Sequence, residues 1–162
     1  MLNNTLQTAL NNQIKHELYS GYLYLSMAAH FEAANLPGFA VWMKKQGHEE
    51  AGHAMKIYGY IHDQGGRVTL QALDGPPTQF GSPVSVFQAA FEHEQKVTGL
   101  IRGLYDLASK ENDYATQVFL QWFINEQVEE ERNASQIVEQ LKMIGESGPS
   151  LFMINAQLGA RA

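Results

Sequence analysis

Six polar residues interrupt the apolar faces of this sequence, in two sets of three: Glu17, Glu50 and His53, then Glu94, Gln127 and Glu130. Each member of the second set lies 77 positions after its counterpart in the first. The neighbours repeat as well, His16-Glu17 as His93-Glu94 and Glu49 as Glu126. A chain folded as two similar halves would gather these groups at one point. Several carboxylates brought together away from water repel one another and lose hydration, at several kcal/mol per uncompensated ion. A divalent cation pair resolves the conflict. The only lysines close by in sequence, Lys15 and Lys96, point elsewhere on the helical wheel. Glu50-Ala51-Gly52-His53 places a carboxylate and an imidazole one turn apart on one face. Oxygen donors with one or two nitrogens suit iron or manganese better than thiolate-seeking metals, and zinc could also occupy such a site. A single inward Glu would read as a misjudged helix face; six polar groups at one depth do not.

The elements that must carry these residues are helices. Breakers cluster at Leu36-Pro37-Gly38, from Gly65-Gly66 to Ser82-Pro83, at Glu111-Asn112-Asp113 and from Gly145 to Pro149. Between them lie four long segments, about 5–34, 38–64, 84–110 and 114–145, and a short one at 150–159. Steps of three and four run through each: Phe39, Met43, Gln46, Glu50, His53 and Ile57 on the second, Leu120, Phe123, Gln127, Glu130, Ala134 and Ile137 on the fourth. Thr5 or Asn4, Ser82 before Pro83, and Asp113 are the expected N-caps. Each long helix would measure about 40 Å at 1.5 Å per residue. A tight Pro-Gly turn makes the first two antiparallel, and two or three residues do the same for the third and fourth. The connection at about 65–83 is far longer than a helical hairpin needs. Extended, it could span about 60 Å, the full length of a bundle. The second pair then enters from the opposite end and an approximate two-fold axis relates the halves. Counted from the turns, the six polar residues fall near mid-bundle. The expected architecture is an all-α four-helix bundle in a single domain, 1–162, with a long crossover between the second and third helices and a short fifth helix.

Composition narrows the function. A chain of 162 residues, 44% hydrophobic, has the size for one domain with a sizeable core. Its formal net charge of -6 leaves no basic stripe for nucleic acid. The lack of cysteine removes disulfides, iron–sulfur clusters and thiolate zinc sites, and fits a reducing cytoplasm. Met1-Leu2-Asn3-Asn4-Thr5 does not begin a signal peptide, and no window has the apolar length of a membrane span.

One Glu from each of two helices, with Glu-x-x-His pairs on the others, is the ligand pattern of ferritin-like di-iron proteins. Over essentially its full length the sequence resembles a prokaryotic non-haem ferritin, on His16-Glu17, His48-Glu49-Glu50-Ala51-Gly52-His53, Glu94 and Asn125-Glu126-Gln127-Val128-Glu129-Glu130-Glu131. The resemblance implies that Glu17, Glu50, His53, Glu94 and Glu130 bind two irons at a ferroxidase centre. Glu17 and His53 would be terminal on one iron, Glu94 and Glu130 on the other, with Glu50 bridging. Gln127 would donate a hydrogen bond behind the ligands, near the oxygen-binding side. Tyr24, two turns after Glu17, would lean toward the metals; by resemblance it hydrogen-bonds a ligand and supplies an electron. Glu49, Glu126, Glu129 and Glu130 resemble the ligands of a third iron position on the inner-surface side, the plain alternative being a solvated acidic face. A bacterioferritin has a second Glu-x-x-His where this chain has Gln127 and Glu130, and a haem-ligating Met where it has Gly52, so no haem is expected. A rubrerythrin would need cysteines.

The remaining candidates read as structural. His16 and His93 flank the core beside their glutamates, His30, His48 and His62 face the surface, and Trp122 and Met27, Met43 and Met55 pack. The tail, with Leu151, Phe152, Met153, Ile154 and Leu158, is too short to be helical alone and must dock on something. The Ser147-Gly148-Pro149 break lets it leave the bundle axis. The resemblance implies that it meets symmetry mates at the four-fold axis of a 24-subunit shell. The function implied is iron storage in the cytoplasm: Fe(II) is oxidised by dioxygen or hydrogen peroxide, and ferric mineral forms inside a hollow homo-oligomer. Two other classes stay open. A di-iron oxidase of an organic or peroxide substrate needs a pocket beside the metals, where Tyr24, Phe91, Ile101 and Phe123 are bulky. A metal-free helical bundle leaves the buried carboxylates unexplained.

Overall fold

The computed structural model describes residues 2–145 and 148–161; Met1, and Ser147 of the break before the last helix, lie outside the described residues. Five helices follow one another: α1 (Asn4–Ala33), α2 (Pro37–Asp63), α3 (Pro83–Lys110), α4 (Tyr114–Ile144) and α5 (Pro149–Gly159). Ser82 and Asp113 cap α3 and α4 by accepting from Ser85 N and Thr116 N. The first helix is capped one residue earlier than the sequence suggests. Asn3, not Asn4 or Thr5, accepts from Leu6 N at 2.8 Å. Leu36 has no side chain able to cap α2, and the role passes to α5: Asn155 Oδ1 accepts from Gly38 N at 2.8 Å and Phe39 N at 3.3 Å.

The two hairpins repeat each other. Pro37-Gly38 does not make the first turn, because both residues already belong to α2. Asn35 makes it, with φ 57°, and its counterpart Asn112 has φ 56°. After each Asn the chain closes a six-residue loop, Leu36 N to Phe31 O and Asp113 N to Ala108 O. This is the usual left-handed termination of a helix, in which Asn stands in for Gly. Asn35 and Asn112 are also 77 apart, so the internal repeat extends through the turns.

The crossover, residues 64–82, runs along α1. Arg67 N donates to Gln7 Oε1, Thr69 N to Asn11 Oδ1, Ser26 Oγ to Pro77 O, and His30 Nε2 meets Gly81 O. Contacts from Gln7 to His30 cover about 35 Å of helix at 1.5 Å per residue. The second helix pair therefore starts at the far end of the bundle.

The apolar core has two parts. One, built on Phe31, Phe39, Met43, Phe87 and Leu141, fills the end nearer the α1–α2 turn. The other, built on Leu10, Ile57, Ile101, Leu120 and Phe123, fills the opposite end. Between them lies a buried polar layer containing Glu17, Gln46, Glu50, His53, Glu94, Gln127 and Glu130. Helix α5 leaves the bundle axis and lies on α2, burying Ile154 and Leu158. Gly38 makes that approach possible, since a Cβ there would sit 1.7 Å from Asn155 O. Met27 and Met43 are buried, but Met55 is 59% exposed and does not pack in the core. Its place, two residues after His53, falls on the opposite face of α2.

Candidate metal centre

Helices α1 and α2 approach closely beside the polar layer, at Gly21 and Gly47. A Cβ on either would lie 3.1 Å from the carbonyl oxygen of the other. That approach brings Glu17 of α1 within reach of Glu50 and His53 of α2. His53 Nδ1 lies 3.4 Å from Glu50 Oε2 and 3.7 Å from Glu17 Oε2, and His53 Nε2 lies 4.0 Å from Glu126 Oε1. Three groups of ligand atoms each fall within 4.8 Å: Glu17, Glu50 and His53; Glu50, Glu94 and Glu130; and His53, Glu126 and Glu130. Glu50 belongs to the first two.

Neutral amides and hydroxyls surround the carboxylates. Gln13 Nε2 donates to Glu17 Oε1 at 2.7 Å, and Gln46 Nε2 to Glu130 Oε2 at 2.6 Å and Glu50 Oε1 at 3.4 Å. Gln127 Nε2 donates to Glu94 Oε2 at 3.2 Å, and the Tyr24 hydroxyl donates to Glu94 Oε1. Glu17 Oε2 is buried with no hydrogen-bond partner. Among the described residues no lysine or arginine ion-pairs with Glu17, Glu50, Glu94 or Glu130. Burial pushes the Glu50 and Glu94 carboxyls above the usual range and the Glu130 carboxyl to about 7. Burial works to lower His53, but the Glu17 and Glu50 carboxylates beside it overcome that and hold the imidazole at about 10. Tyr24 is raised well above its ordinary value, first by burial and then by Glu94. These side chains therefore favour positive charge among them, whether it comes as protons or as cations.

The comparisons with known proteins agree. A family model described as a ferritin-like domain matches residues 7–144. The bacterial non-heme ferritin of Bacteroides fragilis (strain 638R) is 47% identical over 161 residues, covering 99% of this chain and 100% of that protein. The chain belongs to the ferritin family. A second bacterial non-heme ferritin, from Staphylococcus saprophyticus, is 40% identical to this ferritin over 162 residues, covering 100% of this chain and 97% of its own. The solved open pore ferritin of the hyperthermophilic archaeon Archaeoglobus fulgidus is 44% identical and superimposes with a TM-score of 0.98, over 100% of both chains. No helix of the described residues is long and apolar enough to cross a membrane.

Of the residues singled out from the sequence, Glu17, Glu50, His53, Glu94, Gln127 and Glu130 converge with Tyr24, and Glu126 stands beside His53. Glu49 and Glu129 join none of the three ligand groups. Glu129 pairs with Arg132 at 3.7 Å, and Glu49 with Arg161 at 2.7 Å. The Trp122 ring meets His53 edge-on at 5.4 Å and carries Lys56 on its face at 4.2 Å. His93 accepts or donates to Ser20 Oγ at 2.7 Å, and burial lowers its pKa to about 4. Behind Gln127 a cavity of about 190 Å³ opens between α3 and α4, lined by Thr98, Ile101, Ile124 and Glu131 among others.

Three site residues escaped the sequence reading. Gln13 and Gln46 had a signal: each stands four residues before a candidate ligand, Glu17 and Glu50, and so shares its face. Arg161 had none, because it reaches the site only through the packing of α5.

Proposed function

We propose that this ferritin stores iron, binding Fe(II) as substrate at the mid-bundle cluster, oxidising it there and passing ferric product to a mineral inside a hollow shell of 24 copies in the cytoplasm. The observation that carries the reading is the buried carboxylate set itself, including Glu17 Oε2 with no hydrogen-bond partner. Such an arrangement costs several kcal/mol in a chain that never binds a cation. Two Fe(II) fit the donors: Glu17 and His53 terminal on one, Glu94 and Glu130 terminal on the other, Glu50 shared. Each Fe(II) gives up one electron; dioxygen takes two electrons and two protons as hydrogen peroxide, or peroxide takes two of each as water. Gln13, Gln46 and Gln127 hold four of the carboxylates by amide N–H donors, so the ligands are aimed before the cation arrives. Tyr24 donates to Glu94 and, in this reading, supplies an electron. The cavity behind Gln127 offers the small oxidant an approach from the α3–α4 side. A third iron position, at His53, Glu126 and Glu130 with Glu49 and Glu129 flanking, leads from the centre toward the inner surface.

The reading is tested on single ligands and on capacity together. Glu94→Ala and His53→Ala should each lower the initial rate of Fe(II) oxidation at least about tenfold while the assembly, followed by size-exclusion chromatography, persists. Wild-type rates in both variants would place the chemistry elsewhere. A protein that stops at two irons per subunit under excess Fe(II) and oxidant would be an oxidase of some other substrate, not a store.

A further inference from the structure

Glu49, outside the three ligand groups, has a particular partner. Arg161 Nη2 donates to Glu49 Oε2 at 2.7 Å. The arginine stands two residues past the end of α5, yet its guanidinium is held on α2 by three further contacts. Nη1 donates to Gln46 Oε1 at 3.0 Å and to Trp42 O at 3.4 Å, and the guanidinium carbon lies 4.8 Å from the Trp42 ring centroid. Trp42, Gln46 and Glu49 form one stripe of α2, at steps of four and three. Gln46 passes the contact on to Glu130, so the guanidinium is one side chain removed from the metal centre. An exposed arginine normally loses most of an ion pair's value to rotamer entropy. Here the stacking and the two neutral acceptors have already fixed the rotamer. A guanidinium also cannot yield by releasing a proton. A cation that takes Glu49 through Oε2 must displace it, and one that approaches through Oε1 competes with it for the carboxylate's charge.

We propose that Arg161 is a tethered competitor of iron: its guanidinium holds Oε2 of the Glu49 carboxylate, and a third cation recruits Glu49 beside Glu126 and Glu130 against that ion pair. The proposal rests on the third position of the reading above. It assigns Arg161 to positioning, since the arginine acts through Glu49 and touches neither of the first two irons. The consequence is a third position weaker than the first two, from which an oxidised ion departs readily once the arginine returns.

The test is anaerobic Fe(II) binding by calorimetry on the assembled wild type, Arg161→Ala, Arg161→Lys, Glu49→Gln and the Arg161→Ala/Glu49→Gln double variant. In Arg161→Ala the weakest class of sites should tighten roughly 3- to 10-fold, and the two tighter sites, reached only through Gln46, should not tighten with it. Arg161→Lys, which keeps the charge on a less directional head, should fall between that variant and wild type. In the Glu49→Gln background, removing Arg161 should change the weakest class less than about twofold. That arm matters because losing any nearby positive charge would tighten cation binding. Equal tightening in both backgrounds, or none in Arg161→Ala, overturns the proposal. Three cations per subunit with an affinity indifferent to Arg161 overturns it alone. Two cations per subunit in every variant overturns the third position as well. If Arg161→Ala fails to assemble, Arg161→Lys and Glu49→Gln decide the matter by the same comparison.

Discussion

Protons and divalent cations compete for the same atoms around His53. Its imidazole sits between Glu17, Glu50 and Glu126, and titrates at about 10 rather than 6.5 with no cation beside it. Glu130, raised by burial from 4.5 to about 7, titrates in the physiological range. At neutral pH, Fe(II) therefore finds His53 protonated and must expel that proton. Anaerobic addition of Fe(II) at about pH 7 should release at least about one proton per subunit, measurable by pH-stat, and affinity should rise with pH. The sign for stability is opposite. A group whose pKa is raised by folding adds stability that is complete below its unfolded value and lost as pH climbs through the folded one. For Glu130 that window runs from 4.5 to about 7, and for His53 from 6.5 to about 10. Below about pH 6.5 His93, lowered to about 4, adds stability with rising pH and offsets Glu130. The melting temperature of the metal-free protein should therefore fall from about pH 6.5 upward, where His53 titrates, and saturating divalent cation should flatten the decline. A metal-free melting temperature that rises with pH across this range would contradict the geometry around His53.

At the scale of elements, the close approach of α1 and α2 decides how near Glu17 comes to Glu50. Gly47→Ala would put a methyl 3.1 Å from Gly21 O, and backbone cannot swing aside as a side chain can. The helices would part by a few tenths of an ångström, a small strain in the core but a direct change in donor spacing. We expect anaerobic Fe(II) affinity to fall about tenfold with a modest loss of thermal stability. Gly103→Ala is the control: a Cβ there meets nothing within 4 Å, so the change should leave binding intact. It should add about 0.5–1 kcal/mol of stability in denaturant unfolding, because a mid-helix Gly has more backbone freedom to lose. The glycine of the α2–α5 contact behaves differently again. Gly38→Ala cannot be absorbed 1.7 Å from Asn155 O, so it should undock α5, remove the cap of α2 and release Arg161 from Gln46 and Glu49.

The whole molecule presents the outer side of α5 to its surroundings. Ile154 and Leu158 are buried against the bundle, whereas Phe152 and Met153 are 66% and 73% exposed. Two large apolar side chains side by side on a short, docked helix are an unsatisfied surface, and in our reading neighbouring copies cover it. Phe152→Ser together with Met153→Ser should give smaller species in analytical ultracentrifugation. In the same reading every ligand comes from one chain, so Fe(II) should still be oxidised, but ferric product should precipitate instead of staying in solution. An intact assembly from this double variant would move the contact away from α5.

The periodicity of the sequence determined the helices, and the offset of 77 determined that two hairpins meet at one polar layer. Both are local or repeated signals: an inward face is set every three or four residues, and a second copy of a pattern marks what the first copy means. The offset even covers the turn residues Asn35 and Asn112, although their left-handed backbone became apparent only in the structure. Gln13 and Gln46 were legible in principle, as helical neighbours of known candidates. Tertiary structure alone decided the partner of Glu49. Glu129 pairs with Arg132 one turn on, a spacing already present in the sequence, whereas Glu49 differs little from Glu126 yet pairs with Arg161. Arg161 is separated from Glu49 by 112 residues and reaches it only because Gly38 lets α5 lie on α2 and turn the chain end toward Trp42. Helical spacing carries no information about a partner that arrives from another element. Such a contact exists only once packing has set the direction of approach.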